Sequence, residues 1–277
     1  MFGQANGCPV IYQHGLPGSR LEAGLVAAAA ERLGIQLIAA DRPGYGGSDP
    51  EPGRSLTGWA ADVTAVADHF ELNRFALLGV SGGALYALAA AAGLGARVSG
   101  VGIVCGLAPM ALPQLAVAMP VPARLLFSAM ASAPQLAASL LRTLACPLLA
   151  RLPGLVFRLL APTMPVVDRE TLGRPDVRNL MTAVIREAFA GGGAGPVQDL
   201  LLLGGPLDFD LRGVTTPVTL WYGDADRTVP LEHGRWLADH LPDARLQVCE
   251  GEGHFSLPVR QADSILRELK GMLEAES

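Results

Sequence analysis

Arg74-Phe-Ala-Leu-Leu-Gly-Val80, followed by Ser81-Gly82-Gly83 and then Ala84-Leu-Tyr-Ala-Leu-Ala-Ala-Ala91, is the stretch that decides the fold. The first run reads as a buried strand and the last as a helix. Between them stands Gly79-Val80-Ser81-Gly82-Gly83, a Gly-x-Ser-x-Gly pattern. A serine on so sharp a strand-to-helix turn has a strained backbone and carries its hydroxyl out beyond the end of the sheet. The flanking glycines let neighbouring chain pass without a Cβ in the way. The helix that follows aims its N–H groups and its positive dipole end at any negative charge developing beside the serine. In a chain with 33 glycines the pattern alone has little weight. Its strand–turn–helix setting makes it informative.

Outward from this turn, short apolar runs alternate with longer Ala/Leu-rich stretches, the signature of a mostly parallel, doubly wound sheet wrapped by helices. Strands are expected over Pro9–His14, Ile35–Asp41, Arg74–Val80, Val98–Val104, Pro217–Gly223 and Ala244–Glu250. Helices are expected over Gly18–Arg32, Leu56–Phe70, Gly82–Gly93, Leu231–Leu241 and Leu257–Glu274. The turn-rich Asp41-Arg-Pro-Gly-Tyr-Gly-Gly-Ser-Asp-Pro50 forms a long loop leaving the second strand. Between the fourth and fifth strands the alternation stops. Residues 107–212 read as a Pro-punctuated helical cap inserted into a core made of 1–106 and 213–277. Gly191-Gly-Gly-Ala-Gly195 reads as a flexible joint before the last helix of that cap.

Composition narrows the class. At 277 residues the chain suits one large α/β domain with an insertion. Half of it is hydrophobic and 17% is charged, so it buries a substantial core. A net charge of −5 with no Lys/Arg cluster argues against a nucleic-acid partner. No stretch of about 18 uninterrupted apolar residues is present, so no integral membrane span is expected. Cys8, Cys105, Cys146 and Cys249 show no paired spacing and read as free thiols. Cys105 and Cys249 fall in expected buried strands. The start, Met1-Phe-Gly-Gln-Ala-Asn-Gly-Cys-Pro, has neither a basic nor an apolar signal region, so a cytoplasmic location is expected.

A serine hydroxyl is a poor nucleophile near neutrality and needs an adjacent base, itself held by a carboxylate. In the strand–elbow–helix architecture the partners follow in the order serine, acid, histidine. Of five histidines, His233, His240 and His254 lie far enough along. His233 and His240 fall in an expected amphipathic helix and read as solvated positions. His254 lies in Gly251-Glu-Gly-His-Phe255, a glycine-flanked loop between the last strand and the last helix. For the acid, Trp221-Tyr-Gly-Asp224-Ala-Asp226-Arg-Thr-Val-Pro230 puts two carboxylates at a strand end, with Asp226 preferred and Asp224 a turn-former. Nothing acidic follows the strand ending at Val104. The amide of Gly82 and that of Leu16, in His14-Gly15-Leu16-Pro17-Gly18, are expected to face an oxyanion, since Pro17 has no N–H to give. His14 precedes the serine and reads as a brace for this loop.

His14-Gly-Leu-Pro-Gly-Ser19, Asp41-Arg-Pro-Gly-Tyr-Gly-Gly-Ser-Asp49, Gly79-Val-Ser-Gly-Gly83, Gly223-Asp-Ala-Asp226 and Gly253-His254-Phe255 together resemble, in order and spacing, the α/β-hydrolase family. The resemblance runs over nearly the whole chain outside the cap. It implies Ser81 as nucleophile, Asp226 as acid, His254 as base and Leu16 and Gly82 as the oxyanion hole. It also implies no metal and no organic cofactor. A serine at the elbow separates the chain from the family's dehalogenases and epoxide hydrolases, which carry aspartate there. Gly82 separates it from prolyl aminopeptidases, which usually carry tryptophan within the elbow. The family usually has an antiparallel β-hairpin before the first strand seen here, so that hairpin is shortened or missing. The bared sheet edge must be covered, and a dimer through it is one way.

The expected activity is hydrolysis of small to medium apolar carboxylic esters through an acyl-enzyme, with lactone, thioester or perhydrolase chemistry as relatives. A slow-turnover ligand receptor of the same fold is the alternative of a different class. Residues 107–167 hold no acid and four arginines, Arg124, Arg142, Arg151 and Arg158. They read either as helices packed on the core with solvated arginines or as an apolar acyl tunnel with a basic rim. Met110, Met119 and Met130 would line such a tunnel or fill the core.

Overall fold

The computed structural model describes residues 1–275. Its sheet contains β1 (Phe2–Gly3), β2 (Cys8–Gln13), β3 (Ile35–Ala39), β4 (Phe75–Val80), β5 (Val98–Val104), β6 (Val218–Gly223) and β7 (Ala244–Cys249). The spatial order is β1-β3-β2-β4-β5-β6-β7. All neighbours pair parallel except β1, which runs antiparallel to β3. The six expected strands are present within a residue or two of their expected bounds. β1 is new: two residues that pair Phe2 with Leu37 and Gly3 with Gln36, occupying the outer edge where the resemblance calls for a hairpin.

β4 and β5 are buried along their whole length, which is why they read as unbroken apolar runs rather than as alternating ones. Period two still sorts their side chains between two cores. Phe75, Leu77, Val101 and Ile103 pack with helices α2 (Trp59–His69) and α3 (Gly83–Leu94), whereas Ala76, Leu78 and Val104 pack on the opposite face. There they meet α1 (Ala27–Leu33) and a long C-terminal helix, through Ala29, Ala30, Ile265, Leu266 and Leu269. α3 is Ala/Gly-rich because it lies buried against β4 and α2, where small side chains let backbones approach.

Between β5 and β6 the described residues form helices and no strand. These are α4 (Pro113–Ala118), α5 (Val121–Ser132), α6 (Pro134–Leu140), a π turn (Leu141–Ala145), α7 (Cys146–Arg151), α8 (Gly154–Leu160), α9 (Val166–Gly173), α10 (Pro175–Ala188) and α11 (Ala194–Gly204). Proline opens several of them at the first turn, where its missing N–H costs nothing. Met110, Met119 and Met130 are buried core fillers beside Phe127. After β6 come α12 (Leu231–His240), α13 (Ser256–Arg260) and α14 (Ala262–Glu274).

Three local expectations need correction. Gly18–Arg32 is not one helix but a 3-10 stretch, Arg20–Leu25, capped by Ser19, followed by α1. Leu257–Glu274 breaks at Gln261 into α13 and α14. The glycine run 191–195 is a packed joint rather than a flexible one. Gly195 donates its N–H to the Gly44 carbonyl at 3.0 Å, and a Cβ there would run into the Tyr45 ring. Gly193 has φ +80° and lies against Cys146.

The strand order reverses direction between β2 and β4, and in open α/β sheets ligands bind beyond the carboxyl ends of strands at such a point. The loops leaving β2, β4, β6 and β7 carry Leu16, Ser81, Asp226 and His254.

Candidate active site

Ser81 has φ +52°, a left-handed conformation that costs a non-glycine residue about 1–3 kcal/mol. Three backbone hydrogen bonds hold it there. Its N–H donates to the Val104 carbonyl at 3.0 Å, and its own carbonyl accepts from Leu107 at 2.9 Å and Ala84 at 3.1 Å. The glycine spacing follows from contacts. A Cβ on Gly83 would overlap the Gln13 carbonyl of β2, and one on Gly79 would lie 2.8 Å from the Gly83 carbonyl and 2.9 Å from the Ala87 Cβ. The turn closes this tightly only with glycine at both positions.

The structure brings Ser81, Asp226 and His254 together. His254 Nε2 lies 3.1 Å from Ser81 Oγ, and His254 Nδ1 lies 2.8 Å from Asp226 Oδ2. The second carboxylate oxygen, Oδ1, accepts the backbone N–H groups of Thr228 at 2.7 Å and Val229 at 2.9 Å. That leaves Oδ2 for the imidazole and fixes the carboxylate plane. Asp224 instead accepts the Gly251 N–H at 2.7 Å, tying the β6 loop to the β7 loop. Burial alone would lower the His254 pKa; the Asp226 charge and hydrogen bond, with Asp168 and Glu22 behind them, outweigh it and raise it above 6.5.

Leu16 and Gly82 face one another. A Cβ on Gly82 would lie 2.7 Å from the Leu16 Cβ, 3.2 Å from Leu203 Cδ1 and 3.3 Å from the Leu16 nitrogen. The loop bearing Leu16 is pinned from both sides. Gly15 donates its N–H to the buried Glu22 carboxylate at 3.0 Å, and Tyr12 OH donates to the same carboxylate at 3.0 Å. Arg42, fully buried, donates to the carbonyls of His14 at 2.5 Å and Gly15 at 2.9 Å. His14 Nε2 accepts the Arg42 N–H at 3.3 Å, so its Nδ1–H donates to the Gly15 carbonyl at 3.0 Å. Burial holds this imidazole well below its usual pKa, hence neutral. His14 is a brace, as its position before the serine suggested.

Two buried aspartates escaped the sequence reading. Asp168, on α9, accepts three consecutive amides of the histidine loop: His254 at 2.9 Å, Phe255 at 2.9 Å and Ser256 at 2.9 Å. Gly253 is glycine because a Cβ there would overlap that carboxylate. Asp199, on α11, accepts Arg42 Nη2 at 2.6 Å, Tyr45 OH at 2.7 Å and Tyr86 OH at 2.6 Å, and pairs with Arg54. Burial would raise its pKa, but the two guanidiniums win and hold it well below the carboxylate range. A signal for Asp199 was available. It is one acid in the apolar stretch Ala194-Gly-Pro-Val-Gln-Asp-Leu-Leu-Leu-Leu-Gly204, and an acid so placed must be paired.

His233 is a correction. It is fully buried rather than solvated, its Nδ1 accepts the Ala108 N–H at 3.2 Å, and burial lowers its pKa to about 4. His240 is exposed and stacks on Trp236. Cys249 is half-buried on the edge strand β7, whereas Cys105 is buried just past β5; all four thiols are free. Cys105, Asp226 and His254 have potential ligand atoms within 4.8 Å of one another, the one such group among the described residues. Burial raises the Cys105 thiol well above its usual pKa, so it is a neutral and poor ligand beside an aspartate and a histidine already bonded to each other.

A model of the α/β hydrolase fold family matches residues 9–261, and the chain belongs to that family. A pimeloyl-[acyl-carrier protein] methyl ester esterase of Chromobacterium violaceum is 32% identical over 112 residues, which is 39% of this chain and 43% of that one. This chain thus matches less than half the length of that curated relative. Among solved structures, the enol-lactonase of Burkholderia xenovorans LB400 has a TM-score of 0.71 at 20% identity, covering 99% of this chain and 94% of its own. A thermophilic esterase of Thermogutta terrifontis has a TM-score of 0.71 at 22% identity, covering 99% and 91%. Both share the fold.

Proposed function

We propose that the protein is a serine hydrolase of small to medium apolar carboxylic esters, acting through Ser81, His254 and Asp226. The observation that carries this reading is the hydrogen-bonded line from Ser81 Oγ to His254 Nε2, 3.1 Å, and from His254 Nδ1 to Asp226 Oδ2, 2.8 Å. The Ser81 hydroxyl donates to Nε2 and passes its proton there as Oγ attacks the ester carbonyl carbon. The resulting imidazolium is stabilised by Asp226, which keeps its charge. The amides of Leu16 and Gly82 receive the tetrahedral oxyanion, each such donor contributing about 10²–10³ in rate. Nε2–H then protonates the departing alkoxide. Water, deprotonated by the same nitrogen, releases the acid and restores Ser81. Leu16 and Leu203, which crowd Gly82, give the acyl group an apolar wall. Residues 107–212 act as a cap on the 1–106 and 213–277 core, supplying Asp168 and Asp199 to the site. With the four thiols unpaired, a reducing compartment such as the cytoplasm is the location proposed.

Hydrolysis of a p-nitrophenyl ester series graded by acyl length tests this reading. Turnover abolished by Ser81→Ala and by His254→Ala supports it. Tight ligand binding with no turnover on any ester would favour a receptor instead.

A further inference from the structure

Helices α6 and α7, joined through the π turn, form one continuous rod from Pro134 to Arg151. Along it Leu136, Leu140, Leu144 and Leu148 recur every fourth residue, followed by Leu152 just past its end, and each is 46–67% exposed. Four residues overshoot an α-helical turn by about 40°. The wider π turn at Leu141–Ala145 takes up part of that drift, so the leucines stay in one stripe. Leu125 and Leu159, on α5 and α8, are also largely exposed. An exposed aliphatic surface of this extent marks an interaction site.

Charge says what the surface fits. On a protein of net charge −5, residues 107–167 hold four arginines and no acid. Arg151, three residues past Leu148 and so beside the stripe, and Arg158, next to Leu159 on α8, are both exposed. Two of the hydroxyls near this surface are already bonded within their own helices: Thr143 Oγ1 donates to the Ser139 carbonyl at 2.8 Å and Ser132 Oγ to the Ser128 carbonyl at 2.7 Å. No Trp or Tyr falls within 107–167, although those residues and Arg dominate protein–protein hot spots while Leu and Val are under-represented there. Leucines beside arginines on a helix lying flat are the pattern of a helix resting in an anionic lipid interface. No single helix is long and apolar enough to cross a membrane, and the rod bends by 104° into α8.

We propose that the leucine stripe of α6–α7, with Arg151 at its end and Arg158 on α8, docks peripherally on anionic phospholipid bilayers. α8 leads from the end of this rod to the site: its Phe157 meets the Phe255 ring with centroids 6.1 Å apart, next to His254. An ester dissolved in the lipid phase would then enter the site without crossing water. The docking itself does not depend on the hydrolytic reading.

The test is flotation of the full chain with vesicles of equimolar phosphatidylcholine and phosphatidylglycerol, against vesicles of phosphatidylcholine alone. Ser81→Ala protein is used so that lipid hydrolysis cannot intervene, and failure of the hydrolytic reading leaves the result unchanged. The protein is expected to float with the anionic vesicles and to be released by salt. Leu140→Ser/Leu144→Ser/Leu148→Ser should lower partitioning by more than about tenfold, since three aliphatic side chains lose their burial. Arg151→Gln/Arg158→Gln should lower it by about fivefold per arginine on anionic vesicles only. Thermal melting checks that the variants are folded, and the salt dependence and the arginine pair give the answer if the triple variant is not. Wild type failing to float with anionic vesicles overturns the proposal. So does binding by both variants that equals that of their Ser81→Ala parent. A dimer in sedimentation velocity that the leucine variant abolishes, with no vesicle binding, assigns the face to a second copy. An acidic carrier protein bound in place of vesicles assigns it there.

Discussion

The carboxylate of Asp168 accepts the backbone N–H of His254 at 2.9 Å, so the loop that carries the imidazole is held from helix α9 and not only from the sheet. On the other side of the serine, Asp199 reaches the Leu16 loop through Arg42. Two buried acids from the segment between β5 and β6 thus hold the two loops that flank Ser81. The helical segment is hydrogen-bonded to the loops on both sides of Ser81, on the Leu16 side through Arg42.

Asp168→Asn keeps the shape but turns one acceptor oxygen into a donor facing backbone N–H groups. The histidine loop should loosen, and kcat on a p-nitrophenyl ester should fall by about 10²-fold, the effect of a misplacement near 1 Å. Amide hydrogen exchange at residues 253–256 should quicken in parallel. Unchanged exchange with unchanged kcat would remove Asp168 from the positioning of His254.

Asp226→Asn should lower kcat by about 10⁴-fold, because the imidazole loses the partner that sets its tautomer. The pH profile carries the sign. His254 must be neutral to accept the Ser81 proton, and Asp226 raises its pKa above 6.5. The acid limb of kcat/KM should therefore lie above pH 6.5 in wild type and move to lower pH in the residual activity of Asp226→Asn. A limb that stays in place would contradict the pairing.

Asp199→Asn leaves Arg42 and Arg54 buried without their counter-charge, which should cost about 3–5 kcal/mol of stability. The carboxyl pKa is held down in the folded state, so its contribution is present above the unfolded value of about 3.9 and is lost only as pH falls through the lower folded one. The gap in melting temperature between wild type and variant should therefore be flat near neutrality and narrow only in strong acid. Calorimetry over a pH series reads this directly.

Gly82→Ala places a methyl 2.7 Å from the Leu16 Cβ. The Leu16 loop, pinned by Glu22 and Arg42, must shift. Loss of one oxyanion donor then costs about 10²–10³ in kcat with KM little changed. A variant with full kcat would show that the Leu16 amide takes no part.

The strands were legible almost to the residue because runs such as Phe75–Val80 are apolar on both faces and end in glycine or turn residues. Ser81, Asp226 and His254 stand out in the sequence because each follows a strand. His233 was misread because helical periodicity alone does not say what covers a helix; the Ala108 amide that bonds it comes from 125 residues away in sequence. Asp168 was illegible for the same reason, since its partners lie 86 to 88 residues further along. The break at Gln261 and the 3-10 stretch at Arg20–Leu25 are local geometries that the apolar spacing of those segments does not encode.

Intact mass after exposure to a reactive organophosphonate at neutral pH, on wild type and Ser81→Ala, tests the central assignment most directly. One stoichiometric adduct on wild type and none on Ser81→Ala is the expected result. No adduct on folded wild type, or an equal adduct on both proteins, would contradict Ser81 as the activated nucleophile.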